Sequence, residues 1–336
     1  MRAIVWNAGG RLELAERQEP VAGEGDVLVR SAVVGICGSD LHFFRGEFPA
    51  FPGSTPGHEI AGRVVSGGGL APGTAVAIEP TLPCGQCPGC LRGQSPTCSR
   101  LRLMGISAPG GMQELVAVPE ANVHALPEGV SLDIGSMAEP LAVCVRASNR
   151  AEAPMGARVL VLGSGTIGLL AVLLASQTAN EVAVTARYPH QAGLAEAMGA
   201  GLIFEPGSAA LLDWARRNPV DVVIETVGGT ADTFAEAINA VRAGGTVVPL
   251  GVFTADVMVP ARKLVNQEVR VVGSVVYGHA GHQSEFGAAV GMLGRFAPKL
   301  SLLRTATYPL ASANEAFEHA ADKGRQAVKV SVAVEA

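Results

Sequence analysis

The sequence predicts an α/β protein in two parts, a β-rich domain and a doubly wound parallel sheet, and three observations carry that reading. The chain has 336 residues, more than one hydrophobic core usually organises. Its rhythm changes near Ala151, from short alternating apolar runs broken by turn clusters to apolar strands alternating with helical stretches. A Gly-rich turn, residues 163–168 (GSGTIG), then stands between a strand and a helix, where a doubly wound sheet opens its nucleotide crevice.

The first part is built from runs such as residues 26–30 (DVLVR) and 75–79 (AVAIE). In the second part, strands are expected at residues 158–162, 181–185, 221–225, 245–250 and 269–272, with one helix begun by Pro189. Residues 159–175 form the longest apolar stretch, but the turn at 163–166 cuts it into strand and helix, too short to span a bilayer. An amphipathic stretch follows at 313–323, and a Val-alternating run at 327–334 is similar to the first part, to which it should return. The expected domains are 1–143 with 276–336, and 144–275.

Apolar residues make up 48% and charged residues 16%, a globular composition, and 42 glycines imply many tight turns. A net charge of -5 without any Lys/Arg run argues against nucleic acid as a partner. The opening ten residues break at Gly9-Gly10 before an apolar export signal forms. A cytoplasmic protein is therefore expected, without a membrane partner and with its six cysteines as thiols or metal ligands.

Cys84, Cys87, Cys90 and Cys98 place four thiols within one Gly/Pro-rich lobe, residues 84–98. Tetrahedral zinc needs four donors at about 2.3 Å, and C-x-x-C turns converge them without regular secondary structure. Two adjacent disulfides or a cluster of free thiols are the alternatives; a reducing compartment disfavours the first and unpaired crowding the second. With all four donors cysteine, no position is left for water, so this zinc should hold the loop and do no chemistry.

Other donors are dispersed: Cys37, Ser39, Asp40 and His42 in residues 35–42 (GICGSDLH), His58 and Glu59 in 57–59 (GHE), and Glu139 in 138–141 (AEPL). Taken singly, each fits a bland role as buried thiol, turn residue or solvated histidine. Their order, together with the cysteine lobe and the Gly-rich turn, resembles the zinc-containing medium-chain alcohol dehydrogenases over nearly the whole chain. The resemblance implies a GroES-like catalytic domain beside a Rossmann dinucleotide-binding domain, and two zinc ions per chain. It implies a catalytic zinc on Cys37 and His58 with Glu59 or Glu139 as third ligand, and a fourth position open to water or substrate. Glu139 in place of a cysteine is similar to the polyol, threonine and glucose dehydrogenase branch.

Hydride leaves an alkoxide far more readily than a neutral alcohol, and zinc, which lowers the pKa of bound water to about 7, should acidify an alcohol comparably. The resemblance implies that Ser39 and His42 relay the released proton through the nicotinamide ribose, and that Asp40 orients His58.

For the nucleotide, Gly163, Gly165, Thr166, Ile167 and Gly168 offer backbone amides and a helix N-terminus to a pyrophosphate. In so glycine-rich a chain the spacing alone is weak, and its strand-to-helix context carries the weight. Ala186 stands where NAD-preferring relatives have the ribose-binding carboxylate, and Arg187 follows it. NADP(H) is therefore expected, with NAD(H) as the alternative. His190 could add a second contact, and Lys329 resembles a basic residue that reaches the cofactor phosphates in relatives.

Phe43, Phe44, Phe48 and Phe51 crowd near the zinc motif, either lining a substrate cleft or packing beneath a loop. Cys144 reads as a buried helical thiol. Two other classes compete: a zinc-free enone or quinone reductase of the same fold, which would lack Cys37, His58 and the lobe, and a nucleotide-binding protein without activity, which would have lost ligands. The expected partners are a small alcohol or carbonyl substrate and further copies of the chain, as homodimer or homotetramer, joined by analogy through an exposed sheet edge.

Overall fold

Strand Asp26–Gly35 is the spine of the first of two units into which the computed structural model divides the chain. The structure describes residues 1–335. The first unit comprises Met1–Ala142 and the segment from Gly278 onward, and the second Val143–Tyr277.

Val27, Val29 and Val34 on the spine are buried in one cluster with Ile60, Val76, Val116 and Val332, because β-branched side chains pack well on a pleated surface. The seven-stranded sheet runs in the order Arg304–Pro309, Lys329–Ala333, Asp26–Gly35, Glu59–Ser66, Ala75–Ile78 and Val123–Ala125, with Leu115–Pro119 also on the spine. Lys329–Ala333 thus returns from the end of the chain into the interior of this sheet. It is antiparallel to the spine, with Ser331 opposite Gly35, while Glu59 faces Gly35 from the other side. That register positions the site described below. The amphipathic stretch forms helix Ala313–Ala321, whose Phe317 meets Trp6 edge-on at 6.0 Å.

The second unit holds a six-stranded parallel sheet in the order Leu202–Phe204, Glu181–Thr185, Arg158–Leu162, Val220–Glu225, Val241–Pro249 and Arg270–Val271. The order reverses between Arg158–Leu162 and Val220–Glu225, the switch point at which doubly wound sheets bind ligands. Gly163, at φ +101°, turns the chain there into helix Thr166–Ala175. A Cβ on Gly168 would lie 2.1 Å from the Gly163 carbonyl oxygen, so only glycine lets this helix sit so close to its strand. Helix Pro189–Met198 has proline in its first turn and ends at Gly199 in the left-handed conformation, the usual start and stop signals. Among the described residues no helix is long and apolar enough to cross a membrane.

Gly62 tests the tightness of the first sheet, because a Cβ there would lie 2.2 Å from the backbone oxygen of Arg30. A main-chain atom cannot swing aside, so Gly62→Ala is expected to lower stability by about 1–3 kcal/mol in urea unfolding. An unchanged midpoint would show that the strands separate more easily than this packing implies.

Candidate active site

Pairing of Gly35 with Glu59 draws the chain ends Ile36-Cys37 and Gly57-His58 together. One donor atom from each of Cys37, His58 and Glu59 lies within 4.8 Å of the others. A tetrahedral metal with bonds of 2.0–2.3 Å sets its donors about 3.3–3.8 Å apart, so this triad needs little adjustment to close on zinc. Glycine is required twice in the approach. A Cβ on Gly35 would fall 1.9 Å from Glu59 Oε2, and one on Gly57, at φ +93°, would fall 2.6 Å from Val34 Cγ1.

His58, Glu59, Asp40, Glu139 and Lys329 are all buried. Glu139, in the first turn of helix Ala138–Ala151, stands outside the triad but close enough for its charge to bear on His58 and Lys329. Burial opposes charge on His58, yet Asp40, Cys37 and Glu139 together outweigh it and hold the imidazole well above its ordinary pKa. The site therefore has an excess of negative charge, as a cation site should. The buried His58 Nδ1 has no hydrogen-bond partner.

Lys329 does not take the place expected for it. Its ammonium is 2% exposed and donates to Glu59 Oε1 and Oε2, both at 2.6 Å, and to the Ile36 carbonyl at 3.1 Å. An ammonium has three donors, and all three are spent inside the first unit, which leaves none for a cofactor phosphate. Burial pushes against its charge, but the facing Glu59 carboxylate keeps its pKa above the usual lysine value. Nothing in the local sequence marks this role, and the only hint was a lysine in an otherwise apolar run.

Asp40 faces His58 Nδ1 at 3.8 Å, beyond hydrogen-bond length, and its other oxygen accepts from the Cys37 N–H at 2.9 Å. It thereby pins the start of helix Gly38–Phe44 and acts on His58 through charge. Burial pushes the Asp40 carboxyl above the usual carboxylate range, against the pull of His58. Ser39 Oγ approaches His58 Nε2 at 3.4 Å. His42 Nδ1 makes a short contact with Glu47, and its ring lies 5.3 Å from that of Phe48. Phe43 and Phe44 pack on the core of the unit, whereas Phe51 is 60% exposed on the wall of a cavity of about 460 Å³.

The four-cysteine lobe closes on itself. Cys84, Cys87, Cys90 and Cys98 offer sulfurs within 4.8 Å of one another, with Cys87 and Cys90 at 3.5 Å and Cys84 and Cys90 at 4.0 Å. These distances far exceed a disulfide bond of about 2.05 Å and suit thiolates around one metal. The backbone N–H groups of Cys90 and Ser99 pull the Cys87 thiol down to about 5, and those of Gln86 and Cys87 pull Cys84 down to about 7. Two of the four thiols are thus predisposed to the thiolate form, whereas burial and the neighbouring Cys87 push Cys90 up to about 11.

In the second unit, Gly165 begins helix Thr166–Ala175 as its cap, without a side chain to bond the first-turn amides. Thr185 Oγ1 accepts from Gly163 N–H at 2.8 Å, and Ser164 bonds Gln191 at 3.1 Å, which fixes the Gly-rich turn before any ligand arrives. Ala186 is buried and Arg187 exposed. Tyr188 and His190 stack at 5.6 Å, and His190 Nε2 is buried without a partner. Cys144 is buried and donates to the Ile167 carbonyl at 3.3 Å, a packing role.

Comparison with known proteins identifies the family of the chain. Residues 23–128 match the alcohol dehydrogenase GroES-like domain, and residues 166–294 match the zinc-binding dehydrogenase domain. L-Idonate 5-dehydrogenase of Vitis vinifera is 32% identical over 93% of this chain and 88% of its own. L-Galactonate-5-dehydrogenase of Escherichia coli is 29% identical over 98% of each chain. A solved Sinorhizobium meliloti structure described as a zinc-binding dehydrogenase bound to NADP has a TM-score of 0.91 and 32% identity, covering 99% of each chain.

Removing Lys329 would leave the Glu59 carboxylate buried without its counter-ion. Lys329→Met is expected to cost about 3–5 kcal/mol in urea unfolding, and adding Glu59→Gln should recover part of that loss. A single variant as stable as the parent would show that the pair does not hold the sheet.

Proposed function

The chain belongs to the zinc-containing medium-chain alcohol dehydrogenases, and on that premise we propose a polyol or sugar-type alcohol as its substrate, NADP(H) as its preferred cofactor and Cys37, His58 and Glu59 as its catalytic zinc ligands. It is a zinc-dependent oxidoreductase that exchanges hydride between an alcohol carbon and a nicotinamide dinucleotide. The observation that carries the ligand assignment is the convergence of those three donors within 4.8 Å in a buried, negatively charged pocket.

When bound, zinc supplies a Lewis acid that makes the alcohol acidic, and the nicotinamide supplies the hydride acceptor. The residues do the rest. Cys37, His58 and Glu59 fix where the substrate oxygen can sit, and Asp40 favours the histidine orientation through its charge. Lys329 restrains the Glu59 carboxylate through hydrogen bonds to both of its oxygens and offsets part of the local negative charge. Ser39, 3.4 Å from His58 Nε2, and His42, paired with Glu47, would serve as relay groups for the alcohol proton, each passing on one proton as it accepts another. Glu139 contributes negative charge beside the triad.

A second zinc in the cysteine lobe would hold that loop without catalysis, since four thiolates complete its coordination. The preference for NADP(H) rests on Ala186 and the exposed Arg187, whose guanidinium suits a 2′-phosphate where a carboxylate would repel it. The NADP in the Sinorhizobium meliloti structure supports the same reading. His190 would stand beside that phosphate. Assembly as a homo-oligomer is supported by Arg270–Val271 at the edge of the parallel sheet and by the nearby exposed Val265, Val271 and Val275. Six free thiols suit the cytoplasm.

The protein is expected to carry two zinc ions per chain and to reduce NADP⁺ with a polyol or sugar alcohol in a chelator-sensitive manner, read by nicotinamide absorbance over a panel of alcohols. One tightly held zinc in the native protein would remove the catalytic-metal assignment. Arg187→Ala should weaken NADPH by about tenfold or more while changing NADH little, because a charge-assisted phosphate contact is worth about 1.5–3 kcal/mol. Equal losses for the two dinucleotides would sink the NADP(H) preference.

A further inference from the structure

We propose that Glu225 is a positioning residue for the nicotinamide half of the dinucleotide, holding in place the turns that follow two adjacent strands of the parallel sheet; the assignment rests on the cofactor reading above. Its side chain is fully buried at the end of strand Val220–Glu225. Oε1 accepts from the Val227 N–H at 2.8 Å, the Gly228 N–H at 2.9 Å and the Thr233 hydroxyl at 2.8 Å. Its backbone carbonyl accepts from the N–H groups of Leu250 at 2.8 Å and Gly251 at 3.2 Å. One residue therefore ties the turn after its own strand to the turn after Val241–Pro249.

The other oxygen, Oε2, is buried with no hydrogen-bond partner and lies so near Gly251 that a Cβ there would be 2.6 Å away. Burying a carboxylate with an unpaired oxygen opposes folding, so core stability does not account for this group. What it does provide is a triple acceptor that shapes residues 226–229. That turn is one wall of the Gly-rich loop: Thr226 donates to the Leu162 carbonyl at 2.8 Å, and a Cβ on Gly163 would meet Thr226 Oγ1 at 2.7 Å and Val227 Cγ2 at 2.8 Å. The two turns are also joined directly, with Gly229 N–H donating to the Val252 carbonyl at 2.7 Å. Val227 and Val252 are left 47% and 46% exposed, two apolar side chains held open at the carboxyl ends of their strands.

A doubly wound sheet is made of two mononucleotide-binding halves. Arg158–Leu162, Glu181–Thr185 and Leu202–Phe204 form the first here, and Val220–Glu225, Val241–Pro249 and Arg270–Val271 the second. Arg187 and Tyr188 follow a strand of the first half, where the adenosine belongs, whereas Glu225 braces the turns of the second and the wall that they present to the Gly-rich turn, away from the Arg187 segment. Loss of Glu225 should thus weaken the nicotinamide half and spare the adenosine half, a split that general destabilisation of the unit would not produce.

Glu225→Ala, Glu225→Gln and Thr233→Val would be titrated with NADPH and NADH by nicotinamide fluorescence, and with the adenosine halves, 2′-phospho-AMP and AMP, by calorimetry. Glu225→Ala is expected to raise the Kd of the tighter dinucleotide about tenfold and Thr233→Val about threefold, with the matching adenosine half changed by less than about twofold. Glu225→Gln keeps the Oε1 acceptor and should restore near-parental binding. Thr233→Val carries the test if the alanine variant does not fold. Equal losses for dinucleotide and adenosine half, or a glutamine variant as impaired as alanine, would overturn the assignment alone. A parent protein that binds neither dinucleotide would overturn the cofactor reading and this assignment with it.

Discussion

The buried ion pair between Lys329 and Glu59 is the contact around which the donor cluster of the first unit is arranged. The two residues lie 270 positions apart. They meet because the last strand returns into the interior of the sheet and because Gly35, between Ser331 and Glu59, has no side chain to block the carboxylate. Burying two charges is unfavourable unless geometry is good and the remaining donors are satisfied, and here all three ammonium donors are used. Broken, the pair would leave a carboxylate in the interior beside Cys37 and His58, where negative charge is already in excess.

The same constraint explains how the donors of Cys37, His58 and Glu59 are held close together. Cys37 is pinned by Asp40 at the start of a short helix, His58 and Glu59 are adjacent in the chain at the start of a strand, and Gly57 brings them against Val34. Each donor thus hangs from the end of a strand or helix rather than from a long loop, which favours the small positional tolerance that metal chemistry needs. The cysteine lobe follows the opposite plan. Its four donors come from one short segment, and backbone amides of that segment favour the thiolate at two of them, Cys84 and Cys87.

The second unit divides its work along the sheet. The Gly-rich turn, held by Thr185 and by the wall at Thr226 and Val227, presents helix amides at the switch point. Glycine recurs at the contacts where backbones approach most closely, at Gly163 and Gly168 beside the turn and at Gly228 and Gly251 between the two turns that Glu225 joins. Substitution at Gly168, Gly228 or Gly251 would meet main-chain atoms and at Gly163 the Thr226 and Val227 side chains, so the shape of the loop is enforced by packing and not by hydrogen bonds alone.

Some of this was legible in the sequence because the signal is local. The 84–98 lobe, the GSGTIG turn between strand and helix, and the apolar strands after Ala151 each declare themselves within a few residues, through ligand spacing, turn chemistry or periodicity. The motifs holding Cys37, His58 and Glu139 became informative only in combination, since each alone is also a core or surface residue. Relations between distant segments were not legible. Glu59 and Glu139 are equivalent candidates in the sequence, and only the sheet register sets Glu59 beside Cys37 and His58; likewise nothing near Lys329 in the sequence announces the carboxylate that the fold sets against it. Glu225 was one more strand-terminal acid until three donors were found on a single oxygen. The sequence by itself determined the class of fold, the donor inventory and the nucleotide turn, because these depend on spacing along one stretch of chain. Only the tertiary structure decided which carboxylate meets which histidine, thiol or lysine, because strand register and close backbone packing are properties of segments that are far apart in sequence.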